Sequence, residues 1–409
     1  MAHKKLSTEI TEDIKNQYSP LLKDFKPIEV LGKGGYGSVL MVEFPNKHRA
    51  ALKVFNNTFD SNKDVEKLNK IKKEITIAKN VKSEYFIKTF YSLQPKVNNK
   101  QYFGIIMEIA WYKTLNTFIK KFNDKEFTYI NNEDKFFWLS NISETTMKFF
   151  TRQIIFAFEF MKRNKMIHLD FKPENILISL YFKIKITDFS LTQIIHDEKE
   201  INLTNATTCY MGKEYYQKSK KVKIENAYKI DYFGLGCILY SMIFKEYLID
   251  PPKDKKYDEI DINKFISKGI EKLNNCKRIS KELRELVINL INDVEKRKNV
   301  EELLKDEWVF PKKKIIKISK KNKQKKKIID NDSNEHNLNN LKTNNSNNKN
   351  YIEKEYVYNE IKEQKKIEDI NQQDPIKMFI EFNKYAHIKD IKTNVLYYKH
   401  KKKFRFKKL

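Results

Sequence analysis

The sequence has few cysteines and no long apolar run, and these two shortages exclude several classes of protein. Its 409 residues contain three cysteines, Cys209, Cys237 and Cys276, too few and too scattered for a disulfide framework or a zinc site. The longest apolar run, GLGCILYSMIF, stops at Lys245, well short of the about 20 residues that a membrane-spanning helix requires. The N-terminal stretch MAHKKLSTEITEDIKNQY lacks the apolar core of a signal peptide. We therefore expect an intracellular protein, cytoplasmic or nuclear, without a transmembrane segment.

Negative charge is also scarce, and the imbalance is greatest near the C-terminus. The chain has 81 Lys and Arg against 54 Asp and Glu, a net charge of +27. Residues 311–409 contain 27 Lys and Arg against 12 Asp and Glu, so they carry more than half of the excess. The rest of the chain therefore has no need of a nucleic-acid partner, whereas the basic end is suited to an anionic one: nucleic acid, an acidic protein or lipid.

The residue pattern before position 311 indicates two lobes of different secondary structure. Short β-rich runs occupy about residues 25–110, and a helical stretch between them has apolar residues at helical spacing, namely Val65, Leu68, Ile71, Ile75 and Ala78. Helical patterns dominate residues 111–310. We predict an α+β, bilobal fold with a small β-rich N-lobe and a larger α-helical C-lobe, preceded by an N-terminal extension over residues 1–24.

Composition changes sharply after residue 310. Residues 311–350 have the composition of a basic low-complexity linker, in which a lysine-rich run is followed by an Asn/Ser tract with too little apolar surface to offset the entropy of ordering it. Residues 351–409 form a basic C-terminal tail that we predict to be partly helical. A solvated linker or a nuclear-import signal remains an alternative interpretation of the lysine run.

Three glycines follow the first strand-like run, in the stretch VLGKGGYGSV. Gly32, Gly34 and Gly37 have the spacing Gly-x-Gly-x-x-Gly, which alone is a weak indicator of a phosphate site because glycines are common in ordinary turns. A dinucleotide-binding fingerprint is excluded, since it requires a helix directly after the glycines and SVLMVEF continues here as a strand.

A lysine in the next strand-like run has one candidate partner. Lys53 lies in AALKVF, where a solvent-exposed strand edge would be the simpler interpretation. Glu74, however, lies in the following helix beside apolar Ile71 and Ile75, and a glutamate next to an apolar face needs a partner. We therefore expect Lys53 to pair with Glu74.

The stretch IHLDFKPENILIS interrupts an apolar run with ionisable and amide side chains. Asp170, Lys172 and Asn175 surround Pro173, which predicts a loop rather than a helix. A carboxylate, an ammonium and an amide that converge on a loop can accept a proton, neutralise a phosphate and hold a cation. Asp188, directly after the next strand-like run, adds a second carboxylate, and with Asn175 it supplies the oxygen ligands that magnesium prefers. This set is typical of phosphoryl transfer.

Together, in this order and spacing, these residues resemble the eukaryotic protein kinase superfamily. The matching set is Gly32, Gly34, Gly37, Lys53, Glu74, Asp170, Lys172, Asn175 and Asp188. Two downstream stretches extend the resemblance over about residues 25–310: Asp231 in KIDYFGLG would steady the catalytic loop, and Arg297 would pair with Glu214. The basic tail has no counterpart in the family.

The resemblance implies a role for each matching residue. Asp170, Lys172 and Lys53 would be catalytic, and Asn175 and Asp188 would bind magnesium. ATP would be bound by Gly32, Lys33, Gly34, Gly35, Gly37, Val39, Ala51, Lys53, Glu74, Met107, Glu108 and Ala110. The text KPEN is the serine/threonine form of the loop, which implies transfer of the γ-phosphate of ATP to serine and threonine hydroxyls of a protein substrate.

The sequence departs from the family pattern at three places, and alternatives stay open. Leu169 replaces the usual arginine before the catalytic aspartate, Ser190 replaces glycine after Asp188, and Gly212 and Lys213 precede Glu214 where alanine and proline are usual. None of these changes removes a phosphate or metal ligand, so they concern regulation more than chemistry. The alternative functions are a pseudokinase scaffold and a dual-specificity cell-division kinase, the latter because LNTFIKK and ATTCYMGKE resemble the monopolar-spindle checkpoint kinases.

Overall fold

A computed structural model describes residues 10–311, apart from residues 35–36, 57–58, 61–64, 99, 122–127, 131–135, 139–141, 180–181, 205 and 252–259. Gly35, the predicted linker beyond Pro311 and the predicted basic tail therefore lie outside the described residues. The described residues belong to the unit Met1–Pro311. The domain boundaries derived from the sequence stay predictions.

The N-terminal half of the described chain is built on a five-stranded antiparallel sheet with the order β1-β2-β3-β8-β5. Two short helices precede the sheet, and a longer helix and a small three-stranded sheet are inserted between its strands. The elements are α1 (Glu12–Gln17), α2 (Ser19–Leu22), β1 (Lys26–Gly34), β2 (Gly37–Glu43), β3 (Arg49–Phe55), β4 (Phe59–Asp60), α3 (Val65–Asn80), β5 (Thr89–Leu93), β6 (Lys96–Val97), β7 (Lys100–Gln101) and β8 (Gly104–Met107).

The register of this sheet decides which residues share a face. Val39 lies opposite Lys53 in the β2–β3 ladder, and Ala51 lies opposite Met107 in the β3–β8 ladder. Because directly paired residues point to the same side of a sheet, and so do residues two apart in one strand, all four lie on one face. We call this the Lys53 face; Gly32, opposite Val39, belongs to it as well.

The opposite face of the sheet is apolar and is covered by the N-terminal helices. The buried cluster there consists of Ile14, Tyr18, Leu21, Leu22, Val30, Leu40, Val42, Ala50, Leu52, Val54 and Ile106. The α1–α2 pair starts with a capping bond, in which the Thr11 side chain accepts from the N–H of Ile14. Sequence reasoning gave this N-terminal stretch no part in the core, yet its helices pack against this face and share its buried cluster.

The C-terminal half of the described chain is mainly helical, with short two-stranded ladders. Its elements are α4 (Leu115–Lys121), β9 (Thr128–Ile130), β10 (Phe136–Trp138), α5 (Glu144–Arg163), β11 (Met166–Ile167), β12 (Ile176–Ile178), β13 (Ile184–Ile186), β14 (Gln193–Ile194), β15 (Glu200–Asn202), β16 (Lys221–Lys223), α6 (Ile224–Ala227), α7 (Ile230–Phe244), α8 (Ile262–Asn275), α9 (Lys281–Leu290) and α10 (Val300–Leu303).

Helix α7 is the centre of this lobe, since every residue from Ile230 to Ile243 is buried. Helices α5 and α9 pack against α7 with one apolar face each, as their sequence periodicity predicts. The predicted α+β class, with a β-rich N-lobe and a helical C-lobe, is confirmed. Among the described residues, none of the helices combines the length and the apolar composition that a membrane crossing requires.

Candidate active site

A buried aspartate of α7 fixes the backbone of the loop between β11 and β12. The Asp231 carboxylate accepts hydrogen bonds from the backbone N–H groups of His168 and Leu169, each at 2.8 Å. These two bonds hold Leu169 at φ 64°, a left-handed conformation that costs a non-glycine residue roughly 1 kcal/mol or more. This left-handed turn comes directly before Asp170, which is itself only 9% exposed.

The side chain of Asp170 is held by three neighbours. Lys172 Nζ donates to Asp170 Oδ2 at 2.7 Å, and the Thr207 hydroxyl donates to Oδ1 at 2.8 Å. Lys172 Nζ also donates to Thr207 Oγ1 at 2.6 Å, so the three side chains form a closed ring. The Asn175 amide donates to Asp170 Oδ2 at 3.0 Å and to its backbone oxygen at 2.9 Å. A short 3₁₀ turn, Pro173–Asn175, supplies the curvature that brings Asn175 back to the aspartate.

A second charged cluster joins the two lobes. Lys53 Nζ lies 2.5 Å from Glu74 Oε1 and 3.2 Å from Asp188 Oδ1, so the predicted Lys53–Glu74 ion pair is present. Burial alone would lower the pKa of Lys53, but the two carboxylates outweigh it and raise this pKa above the ordinary lysine value. Burial alone would raise the pKa of Asp188, but the Lys53 ammonium outweighs it and lowers this pKa. Burial raises the pKa of Glu74 above the ordinary value, so the directions for Lys53 and Asp188 favour their charged forms while that of Glu74 does not.

His168, to which sequence reasoning gave no role, connects the two loops of the site. Its ring is fully buried, with Nε2 3.0 Å from the backbone oxygen of Thr187 and Nδ1 accepting the N–H of Asp170 at 3.3 Å. One ring therefore fixes both the residue before Asp188 and the backbone of Asp170. Its position two residues before Asp170 was the only sequence signal.

Most of the predicted nucleotide-binding residues of the sheet lie together, but Lys33, opposite Ser38 in the β1–β2 ladder, lies on the other face of the sheet, and Gly35 is not described. Val39, Ala51, Lys53 and Met107 share the Lys53 face, and Gly34 pairs with Gly37 at the end of the β1–β2 ladder. A Cβ added at Gly32 would meet no protein atom within 4 Å, so packing does not require a glycine there and space is left for a ligand. At Gly37, by contrast, an added Cβ would overlap the backbone oxygen of Val54, which is a packing reason for glycine.

The Glu108 side chain turns away from the Lys53 face. Glu108 Oε1 accepts from Lys185 Nζ at 2.8 Å and from the N–H of Lys88 at 2.7 Å. Because Lys185 lies on β13, this ion pair ties the strand end at Met107 to the C-terminal half of the chain. One oxygen of Glu108 is therefore already occupied by these two contacts.

The donor set at the loop ends suits a hard divalent cation. The Asn175 amide is oriented by its two N–H bonds to Asp170, which leave its carbonyl oxygen unused, and Asp188 contributes a carboxylate held ionised by Lys53. Asp188 itself adopts φ 66°, and its carboxylate also bonds the Ser190 side chain. Amide and carboxylate oxygens are the ligands that magnesium takes. Ser190 does not adopt a positive φ, so glycine is not required at that position.

Leu169, where the family usually has arginine, is 2% exposed and packs into an apolar cluster with the segment that follows Asp188. The members of this cluster that belong to that segment are Ile195, Ile201, Leu203, Met211 and Tyr215. The Tyr215 hydroxyl also donates to the backbone oxygen of Leu169 at 3.3 Å. Apolar burial, worth about 1.5 to 3 kcal/mol for a leucine, thus orders the segment where the family pattern would use a charge.

We therefore expect phosphorylation in the stretch 201–208 not to be strictly required for activity. Leucine can neither donate a hydrogen bond nor carry charge, so a phosphate there would find no partner at position 169. The variants Thr204→Ala and Thr208→Ala, produced in bacteria and treated with phosphatase, should keep most of the wild-type transfer rate. Thr207 is excluded from this expectation because it bonds Asp170. A loss of about a hundredfold in either variant, restored by phosphorylation of the wild type, would contradict it.

The predicted Arg297–Glu214 pair is present and fully buried. Arg297 Nη1 and Nη2 each donate to one oxygen of Glu214 at 2.7 Å, and the two side chains are 0% and 1% exposed. Arg297 also donates to the backbone oxygens of Asn292 and Lys229, both at 3.0 Å. A Cβ added at Gly212 would lie 2.5 to 2.6 Å from the ends of these two side chains, so an alanine there would require the pair to shift.

Comparison with known proteins places these features in context. Residues 25–309 match the sequence profile of the family described as "Protein kinase domain". The "Carbon catabolite-derepressing protein kinase" of Candida glabrata is 25% identical over 292 residues, 70% of this chain and 41% of the relative. The "Serine/threonine-protein kinase PKH2" of Saccharomyces cerevisiae is 26% identical over 59% of this chain and 21% of the relative. Human "3-phosphoinositide-dependent protein kinase 1" is 26% identical over 54% of this chain and 35% of the relative.

The chain therefore spans less than half the length of these relatives. The further resemblance to monopolar-spindle checkpoint kinases is not shown by them and stays a prediction.

Proposed function

Because the chain belongs to the protein kinase family, we propose that it is an active enzyme that transfers the γ-phosphate of ATP to serine and threonine hydroxyls of proteins. The observation that carries this proposal is the ring formed by Asp170, Lys172 and Thr207, which presents an oriented carboxylate beside an ammonium group. A scaffold that only binds partners has no need of such a group.

Each residue of the site contributes a separate part of the reaction. Asp170 orients the substrate hydroxyl and accepts its proton, while Lys172 neutralises charge on the transferred phosphoryl group. Lys53, kept charged by Glu74 and Asp188, contacts the α- and β-phosphates. Magnesium, which Asn175 and Asp188 would hold, offsets the negative charge of the phosphates when bound. Val39, Ala51 and Met107, which share the Lys53 face, would face the adenine.

Two observations favour serine and threonine as acceptors. The loop has the sequence KPEN, and the Saccharomyces cerevisiae relative PKH2 is named a serine/threonine-protein kinase. The purified protein, incubated with γ-labelled ATP, magnesium and a generic basic protein, should label serine and threonine in hydrolysates. Label on tyrosine as well would favour the dual-specificity alternative, and the absence of transfer would favour the scaffold. A peptide array would then define the substrate sequence.

We also propose that the protein is intracellular and that the basic region beyond Pro311 is a separable segment that directs it to an anionic partner by charge. Residues 1–311 alone are expected to fold and to transfer phosphate at the rate of the full chain, because the ion pairs and clusters described above lie within them. Binding of the full chain to an anionic partner should weaken steeply with salt, since exposed charges are screened over about 8 to 10 Å at physiological ionic strength. Heparin-column retention and activity of the two proteins test this; an insoluble or inactive truncated protein would contradict it.

A further inference from the structure

A hydrogen-bonded relay runs from the N-terminal helices to the glycine-containing hairpin. The Tyr18 hydroxyl donates to Asn56 Oδ1 at 2.6 Å, and Asn56 Nδ2 donates to the backbone oxygen of Gly34 at 3.4 Å. Tyr18 follows α1, Asn56 follows β3, and Gly34 is the last residue of β1. The relay therefore links three stretches that are distant in sequence.

The tyrosine is held rigidly at its end of the relay. Its ring is 3% exposed within the apolar cluster that α1 and α2 form with the outer side of the sheet. Burial raises the pKa of the Tyr18 hydroxyl, and the side chain of Ser38, in β2, interacts with the same hydroxyl. The hydroxyl therefore stays protonated at physiological pH and acts as a donor.

The donor role of Tyr18 decides the orientation of the amide. Because Asn56 Oδ1 accepts from the hydroxyl, its NH₂ group is turned toward Gly34. Asn56 is exposed, so without the tyrosine its amide would be free to turn to water. The bond to Gly34 reaches the hairpin where the Lys53 face ends, opposite Gly37.

We infer that Tyr18, acting through Asn56, is a positioning residue for the nucleotide phosphates. This inference rests on the proposed function. Holding the Gly34 backbone in one position raises the fraction of molecules whose hairpin is ready to receive phosphates, and the apparent affinity for nucleotide rises by the same factor. Tyr18 touches none of the groups around Asp170, so the transfer step itself is unaffected.

The test compares full-length wild type with Tyr18→Phe, which keeps the buried ring and removes only the hydroxyl. Titration calorimetry with a non-hydrolysable ATP analogue and magnesium chloride should show affinity weakened about fivefold, the factor that one ordinary hydrogen bond supplies. In transfer assays KM for ATP should rise by the same factor while kcat stays at the wild-type value.

Two further variants separate positioning from stability. Ile14→Val thins the same apolar cluster without touching the relay, so it should lower Tm and leave the nucleotide affinity unchanged. Asn56→Ala should reproduce the loss of affinity, and adding Tyr18→Phe to it should cost nothing more, because both act through one relay. If the wild type binds the analogue and Tyr18→Phe binds it with the same affinity, the inference is overturned but the proposed function is not. A wild type that binds no analogue would overturn the proposed function and the inference with it.

Discussion

Replacement of Asp170 by asparagine is expected to lower the rate of phosphate transfer by about 10² to 10⁴-fold, the range that a positioned general base contributes. Asparagine has nearly the same size and can still accept a hydrogen bond from Thr207, but it cannot accept the proton of the substrate hydroxyl. Single-turnover transfer to a generic basic protein is the measurement. Lys53→Met and Asp188→Asn should reduce the rate by orders of magnitude as well, because each breaks the charged cluster that we propose to hold the phosphates.

A matched substitution shows whether such a loss is specific. Asp261→Asn makes the same chemical change at the N-cap of α8, where the carboxylate only accepts from the N–H of Lys264 and asparagine is an equally good cap. Its transfer rate should equal the wild-type rate. Wild-type activity no higher than that of Asp170→Asn would contradict the proposed enzyme and favour the scaffold.

The largest expected effect on stability comes from the buried ion pair. Arg297→Ala should lower the free energy of unfolding by about 3 to 5 kcal/mol, because it leaves the Glu214 carboxylate buried and unpaired. Two backbone oxygens, of Asn292 and Lys229, lose their donor at the same time. Thermal unfolding followed by circular dichroism should show a decrease in Tm on the order of 10 °C.

An exposed ion pair provides the control for this substitution. Lys162 and Glu301 are 2.6 Å apart but 38% and 55% exposed, and pairs of this kind contribute about 0 to 1 kcal/mol. Lys162→Met should therefore change Tm little. Equal changes in Tm for Lys162→Met and Arg297→Ala would contradict this expectation, because they would mean that burial of the Arg297–Glu214 pair does not increase its contribution to stability.

Much of the architecture could be predicted from the sequence, for reasons visible in single elements. Helix α3 was predicted from apolar spacing, and its members Ile75 and Ala78 are buried, although Val65 at its start is 54% exposed. The predicted family is confirmed by the match over residues 25–309. The pairing of Lys53 with Glu74 followed from a physical rule, since a carboxylate beside an apolar face requires a cation.

The remainder depended on contacts between stretches distant in sequence. Nothing in the text around Tyr18 indicates that its helices cover the sheet, because two short helices give too little periodicity to identify a face. The consequence of Leu169 was equally hidden. The absence of charge at Leu169 was visible in the sequence. The apolar cluster that replaces the charge was not, because its members include residues as distant as Ile230 and Val294. The assigned roles of the site residues stay predictions until variants are measured.

The contact between Glu108 and Lys185 also has a consequence for inhibitor chemistry. Because Glu108 Oε1 already accepts from Lys185 and from the Lys88 amide, a cation on a drug-like molecule would have to compete with Lys185 for this carboxylate. A compound without such a cation would rely on the backbone of residues 108–110 and on Met107, whose flexible unbranched side chain can adapt to groups that a β-branched residue would exclude. Compounds whose cation is intended for the Glu108 carboxylate would have to displace Lys185 and should therefore bind this protein weakly.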